Sequence, residues 1–284
     1  MDYLKTINDS ITYIEENITS NLTPEDIAAR AGFSKFHYHR IFSAIIKFSV
    51  ATYIRKRRLS KSVQRLLDSN DKIIDMAFDY GFESSEAFSR SFKKEFGISP
   101  RLCRQNNIRV DLFEKIIPNI EGVLDMIPKL VHKEEMYLIG VEGRHIPGDG
   151  RLGELWQDLF LKKEDIPNII NPNFIVAYED YSKDYIENDD GSIEFTHLCA
   201  FEVENLEKIP EGMVGKIIPR GEYANFTHND SAYKCKETFD YIYSTWLPTT
   251  NLCVRSFDFY ICDYVTYETP DILSPTEIFL PITQ

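Results

Sequence analysis

The 284-residue chain has no run of about 18 apolar residues, so nothing in it reads as a membrane span. Paired cysteines are missing too. Cys103, Cys199, Cys235, Cys253 and Cys262 are odd in number, widely scattered and never spaced CxxC, which argues against a disulfide framework or a zinc site. They are expected to be reduced, packed thiols. There is no GxSxG elbow, no Gly-rich phosphate loop, no metal-ligand spacing and no Ser–His–Asp order. The chain is therefore read as a non-enzyme, with no catalytic residue to assign and no cofactor or metal implied. His37 and His39 stand two apart in a helical segment and point different ways, which makes a poor metal pair. From Met1 to Ile18 there are acids at amphipathic spacing where a signal peptide would carry a basic start and an apolar core, so the expected location is the cytoplasm.

A net positive charge is also lacking: the balance is -13, with 32 Lys+Arg against 45 Asp+Glu. The total conceals a division. Residues 1–110 hold 18 Lys+Arg and 13 Asp+Glu, a balance of +5, whereas residues 111–284 hold 14 and 32, a balance of -18. A basic module suited to an anionic polymer thus precedes an acidic module with another task. A chain of this length also suits two domains of ordinary size.

The basic segment reads as helical throughout. Ile7, Ile11, Ile14 and Ile18 recur at steps of four, three and four, one face of an amphipathic helix. Thr23-Pro24-Glu25-Asp26 is a helix start with a cap, a proline in the first turn and two acids; Gly32 ends that helix and Ser34 caps the next. A longer helix follows Ser49 to about Asp68, with Ile54, Val63, Leu66 and Leu67 as candidate buried positions. Then the pattern returns. Asp26-Ile27-Ala28 through Gly32-Phe33 matches Asp75-Met76-Ala77 through Gly81-Phe82 at an offset of 49 residues. After one extra residue, Arg40-Ile41-Phe42 matches Arg90-Ser91-Phe92 at an offset of 50. Two copies of a helix-turn-helix joined by a long helix is the economical reading, and Gly97-Ile98-Ser99-Pro100 closes the second.

Such a unit needs a small residue at its turn, an apolar core and an exposed second helix. Ala28, Gly32, Phe33, Ile41 and Phe42 suit turn and core in the first copy, leaving Lys35, Phe36, His39 and Arg40 for the exposed face. The second copy leaves Ser85, Glu86, Ser89, Arg90, Lys93 and Lys94 outside. Arg can grip guanine bidentately, Lys and Ser can hold phosphates, and an apolar ring can meet a thymine methyl. An Arg at the equivalent place in each copy favours DNA reading over mere solvation of a helix face.

The strings DIAARAGFSKFHYHRIF and IIDMAFDYGFESSEAFSRSFKKEFGISPRLCR resemble the paired helix-turn-helix domain of the AraC/XylS regulators. That resemblance implies two recognition helices in successive major-groove segments on one face of promoter DNA, with RNA polymerase as a further partner. Carried over by motif, the base-contacting positions are Phe36, His39 and Arg40, then Glu86 and Arg90. The family often has Trp or Gln where this chain has Phe36 and His39, so its target sequence is its own.

From Glu134 the texture changes to short strand-like runs between Gly, Pro, Asn and Asp. Strand Tyr137–Val141, a helix around Leu152–Leu161, and strands Phe174–Tyr181 and Phe195–Val203 form one set. Strand Gly215–Pro219, a helix around Ser231–Trp246, and strands Phe257–Val265 and Glu277–Pro281 form a second, about 80 residues on. The expected architecture is therefore multi-domain: an all-α double helix-turn-helix over 1–107, a connector over 108–133, and an α+β domain of two strand–helix–strand–strand repeats over 134–284. Strand alternation places Phe257 and Phe259 on one face and Asp258 and Tyr260 on the other. An acid among Trp156, Tyr178, Tyr223, Phe226, Trp246 and Tyr260 offers charge and ring faces to a cation; Glu277 is a second acidic candidate.

The strings FEVENLEKIPEGMVGKIIPRGEYANFTHNDSAY and YIYSTWLP resemble the GyrI-like effector-binding domain. The resemblance implies two repeat units facing each other across an aromatic cleft that holds a lipophilic cation, as in multidrug sensing. Asp258, in Phe257-Asp258-Phe259-Tyr260, stands where the family usually keeps a Glu. The reading that follows is a sequence-specific transcription regulator whose acidic half senses a small cationic, lipophilic effector. Two alternatives for that half are a small-molecule hydrolase with a carboxylate base and a module that docks another protein.

Overall fold

The computed structural model describes residues 2–118, 126–146, 150–180, 186–188, 193–230, 235–255, 257–264 and 275–283, apart from a few side chains within them. The chain forms two compact units. One comprises Leu4–Asn119; the other comprises Ile120–Gln284 together with residues 1–3. No helix among the described residues is long and apolar enough to cross a membrane.

The first unit is helical: α1 (Tyr3–Glu16), α2 (Pro24–Ala31), α3 (Lys35–Ile46), α4 (Val50–Asp68), α5 (Ile73–Asp79), α6 (Ser85–Phe96) and α7 (Pro100–Gln105). The expected punctuation is present. Thr23 and Asp26 form a capping box ahead of α2, and Ser34, Ser49, Ser84 and Ser99 each accept a bond from the backbone N–H three residues on. Gly32 and Gly81 end α2 and α5 with φ of 79° and 72°, a left-handed conformation that penalises any residue with a Cβ. The turns match beyond the glycine: Phe33 N–H donates to Ala28 O at 3.0 Å, and Phe82 N–H to Ala77 O at 2.8 Å.

Helix α4 ties the two copies together. Leu59, Val63 and Leu66 on it pack with Met76, Ala77, Phe88, Phe92 and Cys103 of the second copy. On its other side Arg57 grips Glu15 of α1 bidentately, Nε to Oε1 at 2.6 Å and Nη2 to Oε2 at 2.8 Å. Burial pushes the Glu15 carboxyl up, but its bonds and charge pairing with Arg57 outweigh that and hold it below its ordinary value. Removing one partner of such a buried pair costs about 3–5 kcal/mol.

The second unit is a sheet with helices. Its elements are β1 (Lys129–Lys133), β2 (Met136–His145), α8 (Arg151–Leu161), β3 (Phe174–Asp180), β4 (Ile186–Glu187), β5 (Ile193–Val203), β6 (Val214–Ile218), β7 (Gly221–His228), α9 (Cys235–Tyr241), β8 (Cys253–Val254), β9 (Phe257–Asp263) and β10 (Thr276–Thr283). The main strands pair antiparallel in the order β1-β7-β10-β9-β3-β5-β2-β6. Two features depart from the sequence-based expectation. Residues 129–133, read as connector, form an edge strand on β7. The strand that leads toward the second helix is β7 rather than β6, because Pro219-Arg220-Gly221 turns the chain and a further strand intervenes. That second helix is described from Cys235; the part expected over 231–234 lies outside the described residues. After Tyr241 it widens into a π-helical turn, Ile242–Trp246.

Candidate functional site

Helices α3 and α6 are each 12 residues long, each capped by the preceding serine, and Arg40 and Arg90 occupy the sixth position of each. On α6 the division of faces is clear. Phe88 and Phe92 are buried, Ser85 and Ser89 are half-buried, and Glu86, Arg90, Lys93 and Lys94 are exposed. Arg90, Lys93 and Lys94 form no ion pair among the described residues, which leaves three cations for an anionic partner. Glu86 sits in the first turn. Its backbone N–H, the Ser85 and Ser84 hydroxyls and the Arg90 charge hold its carboxyl below the ordinary range.

On α3 the expected face is only partly present. Lys35 pairs with Glu25 of α2, and Arg40 is half-buried. His39 corrects the expectation of an exposed residue: it is 7% exposed, with its ring 3.2 Å from the Ser43 hydroxyl one turn on. Burial, with a smaller push from Lys35, drives its imidazole down to about 3, so it is neutral at physiological pH. His37 is also buried, edge-on to Phe33 at 5.0 Å, and burial followed by the Arg40 charge brings it down to about 4. The Phe36 side chain lies outside the described residues.

In the second unit the ladder decides which candidates share a face, because residues directly opposite one another project the same way. Asp258 on β9 pairs with Glu179 on β3, and Glu179 pairs with His197 on β5. The next row of that face runs from Phe226 through Ile278, Tyr260 and Ala177 to Cys199. The helices carry further groups toward it. Trp156 of α8 lies 6.5 Å from the His197 ring, Phe239 of α9 lies 6.3 Å from Tyr260, and Trp246 meets Phe226 edge-on at 4.9 Å. Tyr243, in the π-helical turn, donates its hydroxyl to Asp258 Oδ2 at 2.8 Å. Asp258 itself is fully buried, as is His197.

The opposite face collects the remaining candidates. Tyr178 stacks on Phe257 at 5.3 Å, Tyr223 meets Phe259 edge-on at 5.6 Å, and both belong to the core of that face. Glu277 pairs with Ile261 and so lies on this face, accepting a bond from the Thr227 hydroxyl at 3.2 Å. The protein already supplies this face with cations: Lys216 Nζ sits 4.7 Å above the Tyr178 ring, and Lys133 Nζ 4.3 Å above that of Phe279. The structure therefore brings Asp258, Tyr260, Trp156, Phe226 and Trp246 to one side, and Tyr178, Tyr223 and Glu277 to the other. Sequence reasoning missed Glu179, His197 and Tyr243. Strand alternation over Phe174–Asp180 puts Glu179 on the face of Ile175 and Ala177, which was the available signal, but both faces of this strand are buried and the pattern alone does not single Glu179 out.

Two family models match the helical and the sheet-bearing parts of the chain separately. A helix-turn-helix domain model matches residues 27–106, and a GyrI-like small molecule binding domain model matches residues 126–283. Transcriptional regulator Rob of Salmonella typhimurium is 27% identical over 263 residues, covering 90% of this chain and 89% of that protein. Multiple antibiotic resistance protein MarA of Escherichia coli is 36% identical over 104 residues, covering 37% of this chain and 82% of its own. The uncharacterized HTH-type regulator YbfP of Bacillus subtilis is 45% identical over 104 residues, 37% of this chain but only 35% of that protein. Among solved structures, the DNA-binding domain of AdpA in complex with a target DNA aligns with a TM-score of 0.34 at 25% identity, covering 37% of this chain and 93% of that one.

Proposed function

Since the chain belongs to the AraC/XylS-type transcription regulators that carry a GyrI-like small-molecule binding domain, we propose that a lipophilic cation bound beside Asp258 governs how α3 and α6 engage promoter DNA. The chain is a DNA-binding transcription regulator and not an enzyme. On this reading Arg40 and Arg90 read bases, Glu86 accepts from a base edge, and Lys35, Ser85, Lys93 and Lys94 hold the phosphate backbone. Phe36 and His39 both precede Arg40 on α3. His39, buried and neutral, positions α3 and does not carry charge to the DNA.

One observation carries the effector half of the reading: a fully buried carboxylate, Asp258, bonded to the Tyr243 hydroxyl on the sheet face that also bears Tyr260 and Phe226, with Trp156 and Trp246 brought to that side by the helices. A charge so placed is costly unless balanced, and a cation that brings ring surface satisfies both needs. Tyr178, Tyr223 and Glu277 support the sheet from its other face, where lysines already meet the rings. The effector-bound chain is proposed to act on transcription together with RNA polymerase. No metal or cofactor enters the scheme.

Footprinting of the full chain on genomic DNA, with and without a library of lipophilic cations, tests the coupling. Calorimetry with a matched cationic and neutral ligand pair locates the charge. Asp258→Asn keeps the shape and removes the charge, so it is expected to weaken the cation well over tenfold while sparing the neutral ligand; Glu277→Gln is expected to do less. Equal losses for both ligands would reduce Asp258 to a structural residue, and a larger effect at Glu277 would move the charge to the other face.

A further inference from the structure

Asp258 is not alone on its face. It stands directly opposite Glu179 in the β9–β3 ladder, and Glu179 stands directly opposite His197 in the β3–β5 ladder. Three ionisable side chains thus form one row across three adjacent strands. Side chains paired in this way have Cβ atoms about 4.5–5.5 Å apart, so the two carboxylates are close neighbours. All three are buried, Asp258 and His197 completely and Glu179 to 8% exposure. His197 Nδ1 lies 3.6 Å from Glu179 Oε1, beyond hydrogen-bond reach, and neither of its ring nitrogens makes a hydrogen bond among the described residues. Its ring is instead enclosed by the rings of His145 at 5.1 Å, Tyr260 at 6.1 Å and Trp156 at 6.5 Å. A buried polar side chain whose nitrogens go unused, lying beside two acids, marks a place for a donor or acceptor from outside.

From this row we infer that the effector site selects cations with at least two N–H donors, of the amidinium or guanidinium kind, over quaternary ammonium ions of equal charge. This inference rests on the reading of the Asp258 face as the effector site and adds to it the chemistry of the ligand head. The geometry favours a fork. A planar cation with two parallel N–H bonds spans adjacent carboxylates and gains a directional bond at each, whereas a quaternary ammonium presents only a diffuse charge. Tyr243 donates to Asp258 Oδ2, which fixes the orientation of that carboxylate. The His197 ring stands at the Glu179 end, where its unused nitrogens can meet a further polar group of the ligand. The rings of Tyr260 and Trp156 then take the aromatic or aliphatic body of the ligand.

The test is calorimetry on the full chain with two aromatic monocations, benzamidinium and phenyltrimethylammonium. Benzamidinium is expected to bind at least tenfold more tightly. Glu179→Gln, nearly isosteric, is expected to erase that preference by weakening benzamidinium more than phenyltrimethylammonium. Equal binding of the two cations by the unmodified chain, in a manner still lost in Asp258→Asn, overturns the fork and leaves the Asp258 reading intact. Failure of both cations to bind overturns both. The comparison on the unmodified chain decides the matter even where a variant folds poorly, and an equal loss of both ligands in Glu179→Gln also counts against the proposal.

Discussion

Arg40 and Arg90 occupy the same position in two helices of the same length, yet their surroundings differ. Arg90 is exposed on α6 beside Lys93 and Lys94, while Arg40 is half-buried on α3 beside a neutral His39. If both read bases, Arg40→Ala and Arg90→Ala should each cost about 1–3 kcal/mol and relax preference at different positions about one helical turn apart. Lys93→Ala should weaken all sequences alike, since a phosphate contact carries little sequence information. Selection of binding sites from a random duplex pool by each variant separates these outcomes. Relaxation at the same base pair in both Arg variants would mean that the two helices do not read separate segments. Asp258 and Glu277 differ less in residue type than in what already sits beside them, a tyrosine hydroxyl and a second acid in one case, a threonine hydroxyl and a face already furnished with lysines in the other, and the proposed effector site rests on that difference.

At the scale of elements, the two helix-turn-helix turns are alike in backbone and unlike in neighbours. Gly32 and Gly81 share a left-handed conformation, so an added Cβ costs about 1–2 kcal/mol of strain at either. At Gly32 that Cβ would meet open space, but at Gly81 it would fall 2.8 Å from the Arg58 guanidinium. The Arg58 side chain is flexible but tied: Nε donates to Ile18 O at 3.0 Å and Nη2 to Ser20 O at 2.7 Å. Moving it loosens the joint between α4 and the segment after α1. Gly81→Ala should therefore lower the melting temperature of the helical unit more than Gly32→Ala, by several degrees, since about 1 kcal/mol shifts a domain of this size by roughly 4–8 °C. Thermal denaturation of the two variants side by side checks this, and an equal or reversed order would mean that Arg58 yields without loss. The helical elements were readable because caps, glycines and apolar spacing are local signals. Strand β7 was not, because Gly221–His228 follows β6 after a short turn and the two runs merge into one strand-like stretch.

For the whole molecule, the division of charge decides how it meets DNA. Residues 1–110 carry +5 and residues 111–284 carry -18, so attraction to phosphate is confined to the helical unit while the remainder repels it. Counterions released by Lys and Arg at phosphates should make affinity for a duplex fall at least tenfold between about 50 and 200 mM salt. Fluorescence anisotropy over that range measures the slope, and a flat response would mean that phosphate contacts contribute little to binding. Much of this organisation was present in the sequence itself: the order of the α1–α6 helices, the repeated turn and its matching arginines, the reversal of charge near residue 110, and the alternation that sets Asp258 apart from Phe257 and Phe259. These follow from local rules of capping, periodicity and composition, which need no knowledge of distant partners. What only the tertiary structure decided are the relations between segments far apart in the chain. It set Glu179 and His197 beside Asp258, sent Glu277, Tyr178 and Tyr223 to the opposite face, and buried His39. In the sheet the register between strands sets these relations, because a shift by one residue turns every side chain to the other face, and no local pattern encodes that register; His39 is buried instead by the packing of α3 within the helical unit.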